Sequence, residues 1–269
     1  MKYRVTALLE NCVYGRKLRG EHGLSLYIES GNHKLLFDTG QSDLFLHNIA
    51  QLGIDIQAIE YLILSHGHSD HTGGLADFLK VNHTAQVICK RELLNPKFKD
   101  ARENGLTGVE ALDLSRFRFI DEPLEVVPDV FVLPNLEIED ANDTHFDHFF
   151  TKVEGEKIPD TFADELALVL THGDAYSVLS ACSHRGITNI LRSVHKVFPN
   201  QSLDTLMGGF HIHNAPTAKF DTIADFFKEC APKRIGVCHC TGVDKYALFL
   251  RDFGDRVFYN HTGCVTEIG

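Results

Sequence analysis

The stretch His66-Gly67-His68-Ser69-Asp70-His71 puts three imidazoles and a carboxylate within six positions, directly after the apolar run Tyr61–Ser65. In extended backbone, residues i and i+2 project to the same side, so His66 and His68 can bind one ion together. Gly67 between them gives the chain room to turn. Asp70 and His71, just before Thr72-Gly73-Gly74, are spaced to swing toward a second ion. Neutral imidazole and carboxylate suit divalent zinc, iron or manganese. Such an ion lowers the pKa of bound water from 15.7 to about 7, and two ions about 3.5–4 Å apart can stabilise both attacking and leaving oxygens. A purely structural zinc takes a closed Cys/His set, often built on Cys-x-x-Cys pairs. This sequence has no such pair.

Elements with the right periodicity are available to hold this stretch. YRVTALLE, LSLYIES and HKLLFDTG read as strands, and SDLFLHNIAQLG as a helix capped by Ser42, stopped by Gly53, and apolar at Leu44, Leu46, Ile49 and Leu52. AIEYLILS reads as a strand covered on both faces, followed by a helix over TGGLADFLKVN with Thr72 as its cap. ELALVLTHGDAYSVLSACSH reads as a hairpin turning at Gly173-Asp174. Strands and helices then alternate to the end, beginning with a helix that carries Ile187, Ile190, Leu191, Val194 and Val197 on one face. Both halves open with paired strands and finish with alternating ones, which points to sheets covered by helices on their outer faces. Residues 1–269 are expected to form one domain, with an irregular insertion at about 90–160 of loops and at most a few strands.

Composition sets limits. The chain has 269 residues, 43% apolar and 23% charged, with a net charge of -11. Such an acidic balance disfavours nucleic acid and anionic membranes as partners and leaves a small-molecule substrate. Seven cysteines at irregular spacing do not read as a disulfide framework. With no bilayer-length apolar run and no secretory leader, a cytoplasmic location is expected.

SHGHSDHTGGL resembles the His-x-His-x-Asp-His signature of the metallo-β-lactamase superfamily, and LLFDTG is similar to its Asp-x-Gly strand end. DTFADELALVL, LSACSHRGITNIL, LMGGFHI and CHCTG resemble a narrower branch, named for 7,8-dihydropterin-6-methyl-4-(β-D-ribofuranosyl)aminobenzene 5'-phosphate synthase. The resemblance implies a four-layer αββα sandwich of α/β class, with the site at one edge of two sheets. It implies His66 and His68 as ligands of a first metal, and Asp70, His71 and His239 as ligands of a second. It also gives Asp70 a role in orienting or deprotonating the nucleophilic water. At the turn Ala181-Cys182-Ser183-His184, His184 is preferred as a ligand over Cys182. Asp164-Glu165 stands where the superfamily ordinarily has a Gly-His turn, and is read as a carboxylate supplier, a substrate contact, or a pair that supports the ligands from behind. Asp38 is read as fixing a histidine's orientation. One or two divalent ions per chain are expected, zinc first, with iron, manganese or magnesium as alternatives.

His211, at a strand end after Gly208-Gly209-Phe210, is read as a substrate-binding or acid/base residue, or else as a satisfied histidine. If His239 points at the metals, Cys238 and Cys240 point away into the core. His145 and His148 are candidates for a lid. His22, His33, His47, His83, His172, His195 and His261 show no ligand spacing. The leading function is a metal-dependent hydrolase acting on a small phosphate- or ester-containing substrate. The alternatives are a transferase joining a dihydropterin diphosphate to a ribofuranosyl-aminobenzene phosphate, and a non-catalytic metal-dependent sensor.

Overall fold

The computed structural model describes residues 2–269. The elements of the first half are β1 (Tyr3–Leu9), β2 (Ser25–Ser30), β3 (His33–Phe37), α1 (Leu44–Leu52), β4 (Tyr61–Ile63), α2 (Ser69–Thr72), α3 (Leu75–Val81) and β5 (Gln86–Cys89). The middle contributes β6 (Lys97–Lys99), β7 (Arg102–Glu103), β8 (Phe117–Phe119), β9 (Leu124–Val127), β10 (Val130–Leu133), β11 (Phe149–Val153) and β12 (Glu156–Pro159). The second half holds β13 (Ala167–His172), β14 (Ala175–Ser180), α4 (Ile187–Val197), β15 (Ser202–Gly208), α5 (Thr217–Cys230), β16 (Arg234–Val237), α6 (Val243–Phe253), β17 (Val257–Tyr259) and β18 (Val265–Ile268).

Two seven-stranded sheets form the centre, ordered β18-β1-β2-β3-β4-β5-β8 and β17-β16-β15-β14-β13-β10-β9. Strand alternation makes them a sandwich. Val5, Ile28, Leu35, Ile63 and Ile88 of the first sheet face Val132, Leu168, Leu170, Leu179 and Met207 of the second. Their neighbours Tyr27, Leu36, Leu62 and Val87 point outward onto Phe45, Ile49, Leu75 and Phe78 of α1 and α3. On the other side, Val169, Val178, Leu206 and Ile235 point outward onto α4, α5 and α6. This is the αββα arrangement. Burying each of these side chains contributes about 1.5–3 kcal/mol. No helix among the described residues is long and apolar enough to cross a membrane.

Both sheets pass from antiparallel to parallel pairing, at β3-β4 in one and β14-β15 in the other. Parallel neighbours require helical crossovers, and such sheets gather ligands at the carboxyl ends of their strands. A register shift between Ala7 and Leu9 puts both Leu8 and Leu9 in the outer cluster, just before Glu10 and Asn11 leave the strand.

Several local expectations need correction. The helix after the histidine cluster starts at Leu75 with no side-chain cap, and Thr72 instead bonds back to the His68 carbonyl. Ser42 does serve α1, its hydroxyl accepting from Leu44 N at 3.2 Å, but the buried face there runs through Phe45, Asn48 and Ile49. Val197, past the last buried turn of α4, is exposed. Residues 90–160 are far more ordered than the insertion that the sequence suggested. Three of their strands extend the main sheets, and β12-β11-β6-β7 form a third sheet. These strands have two to five residues and alternate weakly, so their pattern is no guide to pairing.

Candidate metal centre

Each loop at the site leaves the carboxyl end of a strand. His66 lies three residues past β4 and Asp38 one residue past β3, with Cys182 and His184 following β14 and His239 following β16. α2 is a single turn built on the His68 carbonyl, which accepts from His71 N and Thr72 N, both at 3.0 Å. That turn separates His71 from the His66–His68 pair. The positive φ of Ser183 (57°) and His239 (50°) bends the chain at the other two loops. Non-glycine residues rarely adopt this region, and it costs strain.

Hydrogen bonds fix which nitrogen faces inward for His66, His71, His184 and His239. His71 Nδ1 donates to Asp38 Oδ2 at 2.7 Å. Ser65 Oγ gives its proton to the same carboxylate at 2.7 Å, so it accepts from His66 Nδ1 at 2.9 Å. His184 Nδ1 donates to the His145 carbonyl at 3.3 Å, and His239 Nδ1 to Asn11 Oδ1 at 2.9 Å. A ring that donates from Nδ1 carries its lone pair on Nε2. The Nε2 atoms of His66, His68, His184 and His239 are all buried without a hydrogen-bond partner. Buried polar atoms are ordinarily paired, so four partnerless Nε2 atoms, three of them fixed as lone pairs by their Nδ1 bonds, fit a cation.

The donor atoms form two neighbouring groups. His66, His184 and Cys182 make one, and Asp70, His71, His239 and Cys182 the other, the ligand atoms in each lying within 4.8 Å of one another. His68 packs against His184 beside the first group, with ring centroids 4.8 Å apart. Two ligand atoms on one zinc are at most about 4.6 Å apart, twice a Zn–S bond of about 2.3 Å, so both groups close on an ion with small movements.

Residues 18–149 match the metallo-β-lactamase superfamily. The crystal structure of Tm1679, described as a metal-dependent hydrolase of the β-lactamase superfamily, superposes with a TM-score of 0.88 at 31% identity, over 99% of both chains. The chain belongs to the metallo-β-lactamase superfamily. The 7,8-dihydropterin-6-methyl-4-(β-D-ribofuranosyl)-aminobenzene-5'-phosphate synthase of Methanocaldococcus jannaschii is 28% identical over 94% of this chain and 92% of that one. The metallo-β-lactamase-fold protein YhfI of Bacillus subtilis, at 16% identity and a TM-score of 0.61, shares the fold.

At Asp164 and Glu165 the supporting role fits best among the sequence readings, and at Cys240 and Cys182 the readings change. Asp164 and Glu165 supply nothing to the cavity. Asp164 accepts from Gly67 N at 2.7 Å and from Lys97 Nζ at 2.9 Å. Glu165 accepts from His184 N and Arg185 N, each at 2.7 Å. Adjacent carboxylates thus clamp the backbones of two different histidine loops. Cys240 does not join the core as Cys238 does. The positive φ at His239 breaks strand alternation, and Cys240 lines the cavity. Cys182, ranked below His184 as a ligand, belongs to both donor groups.

Sequence spacing missed Asn11 and His22. His22 Nε2 sits 3.2 Å from Asp70 Oδ2, and Asn11 bonds the Nδ1 atoms of both His22 and His239. Both come from the strand-free stretch between β1 and β2, where no periodicity signals direction. His145, His148 and His211 all line the cavity, and His148, at its exposed rim, also pairs with Asp100. The cavity holds about 1280 Å³.

Burial pushes His66 and His184 well below the usual value and His68 down to about 3. Burial also lowers His71, but Asp70 and Asp38 outweigh it and raise this group to about 9. In the unfolded chain all four titrate near 6.5. The three lowered groups contribute no penalty above pH 6.5, and their effect turns destabilising as pH falls toward 3. His71 opposes them, its stabilisation being complete below pH 6.5 and lost through about 9. The chelator-treated protein is therefore expected to lose urea stability between about pH 7 and about pH 5, each excluded proton costing up to about 1.4 kcal/mol per pH unit. A flat urea midpoint over that range would contradict neutral buried imidazoles.

Proposed function

We propose that this chain is a metal-dependent hydrolase acting on a small phosphate- or ester-containing substrate. The observation that carries the reading is the convergence, from three separate loops, of four buried Nε2 atoms without a hydrogen-bond partner, those of His68, His184 and His239 on rings that line an open cavity and that of His66 packed behind them. His66, His68, His184 and Cys182 would hold one cation, and Asp70, His71, His239 and Cys182 the second. The sulfur and nitrogen donors favour zinc over magnesium. Cations held there supply Lewis acidity and bring the pKa of water toward about 7.

The chain's own residues do the rest. Asp70 is the proton acceptor: burial raises its pKa, but His71, His22 and His239 together keep it well below the ordinary range, so it stays ionised. His211, on the opposite loop, is placed to protonate a leaving group. Phe162 stacks on His184 at 3.8 Å, and Phe149 lies 5.0 Å from the His68 ring, together keeping water off that side. Lys99, Arg102 and Lys219 line the same cavity of an otherwise acidic chain, which suits an anionic substrate.

A transferase joining a dihydropterin diphosphate to a ribofuranosyl-aminobenzene phosphate is the second reading. It is favoured by the near full-length similarity to the archaeal synthase and by a cavity larger than the ~300–1,000 Å³ typical of a single ligand. Diphosphate release from a dihydropterin diphosphate separates the two. Release without acceptor, alongside cleavage of model phosphodiesters, is expected for the hydrolase. Release only with the aminobenzene acceptor would replace that reading with the transferase. Binding without turnover of any phosphate or lactone would overturn both in favour of a sensor.

A further inference from the structure

A third cluster of donors stands beside the two groups assigned to the centre. The sulfurs of Cys182 and Cys240 and a ring nitrogen of His211 lie within 4.8 Å of one another. The three side chains come from three loops, after β14, β15 and β16.

The surroundings are built for a sulfur at this point. Gly209 lies under Cys240, and a methyl there would come within 2.6 Å of Cys240 Sγ and 2.5 Å of the Ala181 carbonyl. His211 N donates to Cys240 Sγ at 3.3 Å, the kind of amide contact that supports a metal thiolate. His211 Nδ1 is buried without a partner. His211 itself (φ 51°), with Ser183 and His239, gives each of the three loops a left-handed non-glycine residue next to or at a donor. Strain of about 1–3 kcal/mol per residue persists where the surroundings enforce it, commonly at functional sites.

We infer that Cys182, His211 and Cys240 form a third cation site, sulfur-rich and distinct in donor chemistry from the other two. Two thiolates and an imidazole select soft or borderline cations, zinc or monovalent copper, over magnesium, calcium or manganese. Cys182 is shared with the centre as a bridging thiolate. The inference rests on the proposed function only in its consequence: a cation here occupies His211, the residue assigned to the leaving group, so excess zinc acts as an inhibitor.

The test is a zinc titration of chelator-treated protein, with bound metal counted after gel filtration, and a parallel cobalt(II) titration followed by absorption. Wild type is expected to bind one zinc per chain more than either Cys240→Ser or His211→Asn. The last cobalt equivalent is expected to raise the thiolate-to-cobalt charge-transfer absorption beyond what Cys182 gives with the first two, an increase that both variants lack. His211→Asn removes a donor from another loop, and so serves if Cys240→Ser fails to fold by circular dichroism. Equal stoichiometry and identical cobalt spectra in wild type and variants would overturn the third site and leave the first two standing. No cation uptake by wild type would overturn the proposed function as well.

Discussion

Asp70→Asn is expected to lower turnover of a model phosphodiester by about 10²–10⁴-fold, the usual worth of a positioned proton acceptor. Asp70 Oδ2 lies 3.2 Å from His22 Nε2, 3.4 Å from His239 Nε2 and 3.7 Å from His71 Nε2. An amide there keeps the shape but loses the negative charge that these imidazoles face. It cannot take a proton at neutral pH, and it is a weaker ligand. Metal analysis is expected to show the cation at His66, His68 and His184 retained, and the one at His71 and His239 weakened. The metal-free protein should also melt at a lower temperature, because Asp70 is the leading charge that keeps His71 protonated, so turnover is compared well below both transitions. Turnover within about threefold of wild type would remove Asp70 from the chemistry.

Lys97→Met is expected to destabilise the fold by about 3–5 kcal/mol, the usual consequence of removing one partner from a buried ion pair. Lys97 Nζ bridges Asp160 and Asp164 at 2.9 Å each, and all three side chains are buried. Burial pushes the Asp164 pKa up, but Lys97 and the Gly67 N–H pull it below the ordinary range. Without the lysine, two carboxylates face each other in the interior. For a chain of this size the melting temperature should fall by on the order of 10 °C. Pairing the change with Asp160→Asn should recover part of the loss, because one uncompensated charge is gone. Metal affinity should fall too, since Asp164 fixes Gly67 between two proposed ligands. A loss below about 1 kcal/mol would mean the pair sits in a far wetter environment than its geometry implies.

The sandwich and the early histidines were legible in the sequence because both rest on short periods. Alternation along β3, β4, β13 and β14 fixes which side chains face the sister sheet. The same two-residue period brings His66 and His68 together, with ring centroids 4.8 Å apart. His184 and His239 were reachable only by resemblance, since nothing in their spacing joins them to residues 66–71. Cys240 was misread by trusting alternation one residue beyond a left-handed break. Of the readings open for Asp164 and Glu165, the structure fits the one in which they support the ligand loops, since they receive backbone N–H groups of those loops. Glu10 had no signal at all, yet it is fully buried and accepts from His239 N at 3.1 Å.

The small β12-β11-β6-β7 sheet carries Lys99 and Arg102 at the cavity wall, while the inward nitrogens hang from the two large sheets. Reactive floor and selective wall are thus carried by different sheets of one chain, joined through Lys97 and Asp164. Changes at the exposed Lys99 and Arg102 can redirect what is admitted, whereas Lys97 of the same sheet ties the wall to the floor through Asp164 and Gly67 and is not free to vary.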